Sequence, residues 1–294
     1  MGSTIVKLAG TPPVSDGQRL DRLSLASAAG IREAGGVYET TPPTPVDTDD
    51  PFERYRVDPR RADLHQHVAS ALRERGIATF SEIPGRSAFA DMVRGLAALY
   101  PHPDSGPDGL TLLHARDGNP GAGQRGFTDS ELFPHTERSS LPRPPRLLML
   151  VCLTPAIHGG ETVLIDGQAV AEELSLTAPE AWNALSAPRT AYFGGSSGYV
   201  GAVFEPVALK TWTIRLRLDE LVRFAPHAVR HVEVLRGVID RNAVVLRLGK
   251  GQGFILDNTR WLHGRRSFTG PRVMLRALGE PRTPLPLERG FRLP

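Results

Sequence analysis

The sequence predicts a mainly β chain with flanking helices, built around a double-stranded β-helix, the cupin-like jelly roll. Three observations support this fold class. The 294 residues include 30 Gly and 26 Pro, which is typical of a chain with many turns. Most apolar segments after residue 109 are short, about four to eight residues, the usual length of strands. Helical periodicity is confined to a few short stretches, and the sequence shows no internal repeat.

The first 50 residues are expected to form a partly flexible arm, followed by a single domain over residues 51–294. The arm is rich in Gly, Pro, Thr and Asp. Its last part, residues 40–51, has the composition of an extended linker.

Two helices are predicted at the start of the domain. In residues 61–75, apolar residues recur at four-residue spacing, and Gly76 marks the end of the helix. An apolar face also predicts a helix over residues 89–99, and the β-prone segment 77–83 lies between the two. Further short helices are expected at residues 168–174 and 179–185.

Short apolar segments bounded by turn residues are the predicted strands. They cover residues 110–114, 147–153, 161–165, 190–193, 211–217, 231–235, 244–248, 253–256 and 273–278. The glycine-rich segment 194–201 is interpreted as either a mobile lid or a flexible connection.

The charge and the apolar segments of the chain argue against nucleic-acid and membrane partners, so a small-molecule partner is expected. A formal charge of +3 without any Lys/Arg block argues against nucleic acid. No signal peptide is evident, and the apolar run 147–153 is too short to cross a bilayer, so no membrane partner is expected. The single cysteine, Cys152, excludes an intrachain disulfide and favours the cytoplasm. Oligomeric state cannot be inferred from these features.

A His-x-Glu pair, His135 and Glu137, is the first candidate metal site. On an extended chain, residues i and i+2 face the same side, so the imidazole and the carboxylate can bind one metal. A distant histidine would complete the two-His-one-carboxylate set of Fe(II) oxygenases. The pair alone is weak evidence, because nine His and 32 acidic residues give about one such pair by chance. A second copy, His231 and Glu233, lies in an alternating apolar pattern and is interpreted as the surface face of a strand.

The remaining candidates lie near the end of the chain. A strand-like run over residues 254–256 leads into a polar turn and then to His263. Arg272 and Arg276 follow, and strand alternation directs both away from Val273, so both can face one cavity. A carboxylate of a dicarboxylic acid is a natural partner for one of these guanidinium groups.

With these motifs in order, the sequence resembles the taurine dioxygenase and clavaminate synthase-like branch of the Fe(II)/2-oxoglutarate oxygenases. The resemblance covers residues 60–280 and depends on three segments, PHTERSSLPRPPRLLMLVCLTPAIHGGETVLIDG, DNTRWLHGRRSF and RVMLR. It implies that iron is held by His135, Glu137 and His263.

The same resemblance assigns two binding pockets. It implies that Arg272 grips the distal carboxylate of 2-oxoglutarate, that the Thr162 hydroxyl assists, and that Arg276 lies at the substrate. The gap from His263 to Arg272 is shorter than in many relatives, so the reverse assignment of the two arginines is the alternative. Further substrate candidates lie before and beside the predicted metal-binding strand: His114, Arg138 and Ser139.

The implied activity is hydroxylation of an unactivated C–H bond, with O₂ consumed and succinate and CO₂ as co-products. Glu137 argues against halogenation, because halogenating relatives carry a small residue there. Glu at this position also favours an amino-acid-like or specialised-metabolite substrate, as in antibiotic biosynthesis. Desaturation, ring formation and a carrier-protein-tethered substrate stay open. Outside oxygenase chemistry, the alternatives are a non-redox metal-binding cupin and a non-catalytic binding protein.

Overall fold

The computed structural model describes residues 50–100, 102–118, 121–282, 285 and 287–293. The predicted arm lies almost entirely outside these residues. Its separation from a single domain over residues 51–294 therefore stays a prediction.

The described residues form seven α-helices and 18 strands. The helices are α1 Pro51–Arg54, α2 Leu64–Arg75, α3 Arg86–Leu96, α4 Gly167–Thr177, α5 Pro179–Ser186, α6 Pro226–Val229 and α7 Val232–Arg241. The strands are β1 Ile77–Phe80, β2 Ala97–Leu99, β3 Thr111–Leu113, β4 Leu132–His135, β5 Leu147–Thr154, β6 His158–Gly159, β7 Thr162–Asp166, β8 Ala191–Gly194, β9 Gly198–Gly201, β10 Phe204–Ala208, β11 Thr211–Ile214, β12 Val222–Phe224, β13 Ala243–Leu246, β14 Gly253–Asp257, β15 Trp261–Arg265, β16 Phe268–Thr269, β17 Val273–Pro281 and β18 Phe291–Arg292.

Two antiparallel sheets form the body of the fold. The larger has the strand order β1-β14-β5-β17-β2, with β3 also paired to β17. The smaller has the order β13-β7-β15-β4. Leu164 of β7 packs in one buried cluster with Leu148 and Leu150 of β5, so the two sheets face each other. The predicted fold class, a mainly β jelly roll with flanking helices, is confirmed.

Side-chain alternation along β5 explains its uninterrupted apolar sequence. Leu148 and Leu150 face the space between the sheets, whereas Leu147 and Met149 pack in the cluster that includes residues of α2 and α3. A strand buried on both faces reads as a continuous apolar run. The smaller sheet is covered in the same way, with Leu262 of β15 packed among residues of α4, α5 and α7.

The predicted strand over residues 231–235 is wrong, because this segment begins helix α7. Val232, Leu235, Val238 and Ile239 recur at helical spacing, and all four are buried. A window ending at Leu235 is too short to reveal that period. The alternation that suggested a strand is the first half of a helical repeat.

The predicted helix over residues 89–99 ends early. Residues Ala97–Leu99 form strand β2, which pairs with β17 through Gly279 to Pro281. The end of α3 is thus set by pairing with a strand far along the chain, which a local apolar pattern does not reveal.

The glycine-rich segment 194–201 forms a β-hairpin, and its role as a lid or a flexible connection stays a prediction. Gly194 and Gly198 pair across β8 and β9. A Cβ atom on Gly198 would collide with the carbonyl oxygen of Phe193. The glycine is required by close backbone approach.

In the described part of the chain, no helix is both long and apolar enough to cross a membrane.

The packing of the two sheets predicts unequal effects for two identical substitutions. Leu148 has no exposed side-chain surface, whereas Leu176 on α4 is 82% exposed. We expect Leu148→Ala to lower the free energy of unfolding by about 2–5 kcal/mol, because it leaves a cavity between the sheets. Leu176→Ala should change it by no more than about 0.5 kcal/mol. Urea denaturation measures both, and equal effects would contradict the placement of Leu148.

Candidate metal centre and adjoining cavities

His135, Glu137 and His263 come together, with one ligand atom of each within 4.8 Å of the others. Strand β4 ends at His135, and β15 places His263 opposite it in the antiparallel ladder. The centroids of the two imidazole rings are 4.3 Å apart. No other group of three or more His, Cys, Asp or Glu side chains among the described residues is arranged to hold a metal ion.

The protonation of the two histidines suits metal binding. Nδ1 of His135 lies 2.9 Å from the carbonyl oxygen of Phe133. A carbonyl only accepts, so Nδ1 carries the proton and Nε2 keeps a free lone pair. Burial lowers the pKa of both His135 and His263, and for His263 the neighbouring His135 lowers it further. Both imidazoles are therefore neutral, the form that a metal requires.

Glu137 supplies the negative charge of the group. Burial raises the pKa of Glu137, but positive charge, chiefly that of the Arg276 guanidinium, outweighs burial and brings the pKa to about 2. Nη1 of Arg276 lies 2.8 Å from Oε2 of Glu137. Two neutral imidazoles and one carboxylate form a donor set that fits non-haem Fe(II) and leaves positions open for other ligands.

The backbone of Glu137 is held by Asn258, which the sequence did not single out. Oδ1 of Asn258 accepts from the Glu137 N–H at 2.7 Å, and Nδ2 donates to the Glu137 carbonyl at 3.0 Å. The same Nδ2 also donates to the carbonyl of Pro145 at 2.9 Å. This buried amide fixes the Glu137 peptide from both sides. Its position five residues before His263 was the available signal, but the stretch reads only as a polar turn.

The segment after Glu137 is held by Arg215. Its Nη1 donates to the carbonyls of Ser139 and Leu141 at 2.6 and 2.7 Å, and the guanidinium lies 3.9 Å from the centroid of the Tyr199 ring. Arg215 is buried, so these contacts fix the loop that carries Arg138 and Ser139.

A small cavity of about 40 Å³ adjoins His263. Its polar lining consists of Thr162, His263, Arg265, Arg272 and Arg276. Among the described residues, no carboxylate forms an ion pair with Arg272, and burial lowers the pKa of its guanidinium. A buried cation without a counter-charge is costly, and an anionic ligand would remove the cost.

A larger cavity of about 270 Å³ adjoins the metal group at His135 and Glu137. Its lining includes His135 and Glu137, the predicted substrate residues Arg138 and Ser139, and the ion pair of Arg217 with Asp219. Arg138 adopts a left-handed backbone with φ of 56°, and its Nε is buried without a partner among the described residues. Such a conformation in a non-glycine residue is typical of functional sites.

His114 is not brought to this cavity, which corrects its prediction as a substrate residue. Thr111 and Leu113 of β3 face inward, so alternation places His114 with Leu112 on the exposed face. Nδ1 of His114 bonds instead to the carbonyl of Ala115.

His102 lines the larger cavity instead. It was not predicted from the sequence, because it lies in a loop without periodicity. Its Nδ1 accepts from the backbone N–H of Asp104 at 3.1 Å. In the neutral ring, the proton is therefore on Nε2, which is a donor for the cavity. Burial and then the charge of Arg276 lower the pKa of His102, which favours this neutral form.

Known proteins share this sequence pattern over most of the chain. The model of the family described as taurine catabolism dioxygenase TauD, TfdA family matches residues 39–278. Trimethyllysine dioxygenase, mitochondrial, of Rattus norvegicus is 27% identical over 174 residues, and gamma-butyrobetaine dioxygenase of Homo sapiens is 24% identical over 159 residues. These matches cover 52% and 48% of this chain but 41% of each relative, so the chain spans less than half the length of the curated relatives it matches.

Solved structures share the fold. Asparagine oxygenase in complex with Fe(II), 2S,3S-3-hydroxyasparagine and succinate has a TM-score of 0.55 and 17% identity, over 77% of this chain and 93% of that one. The non-haem iron oxygenase OrfP in complex with Fe and alpha-ketoglutaric acid also has a TM-score of 0.55 and 17% identity, over 74% and 81%. The family match extends from residue 39 to residue 278, and the chain belongs to the TauD, TfdA family of taurine catabolism dioxygenases.

Proposed function

We propose that this protein is an Fe(II)- and 2-oxoglutarate-dependent oxygenase that hydroxylates an amino-acid-like small molecule. One observation carries the proposal. His135, Glu137 and His263 converge beside a cavity in which the Arg272 guanidinium has no carboxylate partner among the described residues. The relatives support it, since asparagine oxygenase binds Fe(II) and succinate and OrfP binds Fe and alpha-ketoglutaric acid.

The two histidines and Glu137 would hold the iron for a reaction that consumes the oxo acid and O₂. When bound, iron supplies the oxidising power for attack on a C–H bond while 2-oxoglutarate is decarboxylated to succinate. The protein's own contribution is to hold the three ligands in place. Nδ1 of His135 is tied to the Phe133 carbonyl, and Asn258 fixes the Glu137 backbone. Such supporting contacts orient metal ligands.

Arg272 and Thr162 are the proposed contacts for the distal carboxylate of 2-oxoglutarate. A guanidinium can bind a carboxylate through two parallel hydrogen bonds. Arg276 lines the same cavity but is already paired with Glu137 at 2.8 Å. The free guanidinium of Arg272 is thus favoured over Arg276 for this task. A non-redox cupin would leave Arg272 without a counter-charge, which argues against that alternative.

The larger cavity suits the carboxylate of an amino-acid-like substrate. His102 offers an Nε2–H donor, and Arg138 forms no ion pair with the described residues. Ser139, which lines this cavity, and Arg276, which lines the smaller one, complete the proposed substrate contacts. Asp219, held by Arg217 at 2.6 Å, offers a carboxylate for an amino group. A cytoplasmic location stays a prediction, and a free and a carrier-bound substrate stay alternatives.

The two His-x-Glu copies give a matched pair for testing the metal assignment. We expect Glu137→Ala to lower succinate formation from 2-oxoglutarate by more than about 100-fold, because changes around metal ligands alone cost about 10–100-fold. Glu233→Ala, on the exposed face of α7, should leave it unchanged. Succinate would be measured with a substrate found by screening amino acids and their derivatives. Turnover near wild type in folded Glu137→Ala would refute the assignment.

Arg272 directly precedes β17, and Arg276 lies within it. Replacing each of them should have a different effect on the requirement for 2-oxoglutarate. We expect Arg272→Ala to raise the 2-oxoglutarate concentration for half-maximal rate at least about tenfold, since a charge-assisted hydrogen bond is lost. Arg276→Ala should raise it less, because Arg276 is paired with Glu137. Steady-state titration with 2-oxoglutarate measures both, and the opposite ranking would exchange the two roles.

His102 and His114 provide a further comparison on the substrate side. His102→Ala should raise the substrate concentration for half-maximal rate by about tenfold, the cost of one hydrogen bond to a charged group. His114→Ala should leave it unchanged, because His114 is exposed and lies outside the cavity. The 2-oxoglutarate requirement is the control and should stay constant in both variants. Equal substrate effects would argue against His102 as a contact.

A further inference from the structure

We infer that Arg265 is a second guanidinium for the distal carboxylate of the oxo acid and acts together with Arg272. This inference depends on the proposed function, because it deepens the same site. Neither the sequence motifs nor the triad requires an arginine at this position.

Strand β15 directs Arg265 into the cavity. Trp261 of this strand belongs to the buried cluster between the sheets, whereas Leu262 packs on the helix-covered face. By alternation, His263 and Arg265 share the side of Trp261. Arg265 also lies directly opposite Thr162 in the ladder with β7, so the two side chains are neighbours on one face.

The Arg265 guanidinium is buried and incompletely paired. The residue is 5% exposed, and its Nε has no hydrogen-bond partner within the described chain. Nη2 donates to the carbonyl of Ser130, which is neutral. Among the described residues, no carboxylate forms an ion pair with Arg265. Arg265 therefore brings an uncompensated positive charge to the cavity.

One aromatic ring links the two arginines. The guanidinium carbons of Arg265 and Arg272 lie 4.8 and 5.7 Å from the centroid of the buried Phe268 ring. The ring face attracts both cations and holds them beside the same cavity. The two like charges line the same cavity and repel each other, and an anion bound in that cavity would attract both. A carboxylate is the ligand that this pair of charges fits.

The consequence is selectivity for a dicarboxylic oxo acid. A 2-oxo acid with a single carboxylate has the chelating end but nothing for the two guanidinium groups to bind. We therefore expect Arg265 to affect the affinity for 2-oxoglutarate and not that for 2-oxovalerate, which has the same chain length and no distal carboxylate.

The test is calorimetric titration of Fe(II)-loaded protein without O₂, using 2-oxoglutarate and 2-oxovalerate as probes. Arg265→Leu should raise the Kd for 2-oxoglutarate by about 10–100-fold and leave that for 2-oxovalerate unchanged. Arg266→Leu is the matched control, because the adjacent Arg266 is exposed and lines neither cavity. It should bind both acids as the wild type does. If Arg265→Leu does not fold, Arg265→Gln, which keeps a donor for Ser130, decides the same question.

The outcomes separate this inference from the proposed function. Wild-type protein that fails to bind 2-oxoglutarate would refute both. Wild-type binding together with unchanged affinity in the Arg265 variants would overturn only the inference. Equal weakening of both acids would also overturn it, because Arg265 would then act on the shape of the cavity and not on the distal carboxylate.

Discussion

The register of β15 against its two neighbours is the constraint on which the site depends. It places His263 opposite His135 of β4 and Arg265 opposite Thr162 of β7. Because side chains alternate along a strand, a slip of one residue would turn both His263 and Arg265 to the helix-covered face. The apolar residues of the strand prevent that slip, since Leu262 is buried against the helices and its neighbours face the space between the sheets. The alternation of apolar residues that fixes the register of β15 therefore also directs His263 and Arg265 toward the space between the sheets.

The resulting site contains more buried charge than the described residues neutralise. Glu137 and Arg276 form one ion pair beside two neutral imidazoles, while Arg265 and Arg272 have no carboxylate partner in the described chain. Uncompensated buried charges destabilise a fold. An anionic ligand at the arginines would relieve part of this cost. Ligand binding and folding stability are therefore coupled here, because a ligand that binds only the native state stabilises it.

The fold class could be predicted from the sequence because strand periodicity is a local pattern. The three candidate metal ligands could be grouped because the order of the motifs is specific. Sequence patterns did not predict features that depend on distant partners. The start of α7 resembles a strand until Val238 and Ile239 are included, and the 194–201 hairpin is defined by pairing between its two strands. Asn258 and His102 lie in segments without periodicity. Asn258 holds a peptide 121 residues away, a contact that no local pattern predicts.

The central claim is that this metal group and this cationic cavity together bind iron and 2-oxoglutarate. The most direct measurement is the visible spectrum of the protein after anaerobic addition of Fe(II), 2-oxoglutarate or both. We expect a weak charge-transfer band that forms only when both are present. Folded protein that binds Fe(II) but shows no such band with saturating 2-oxoglutarate would contradict it.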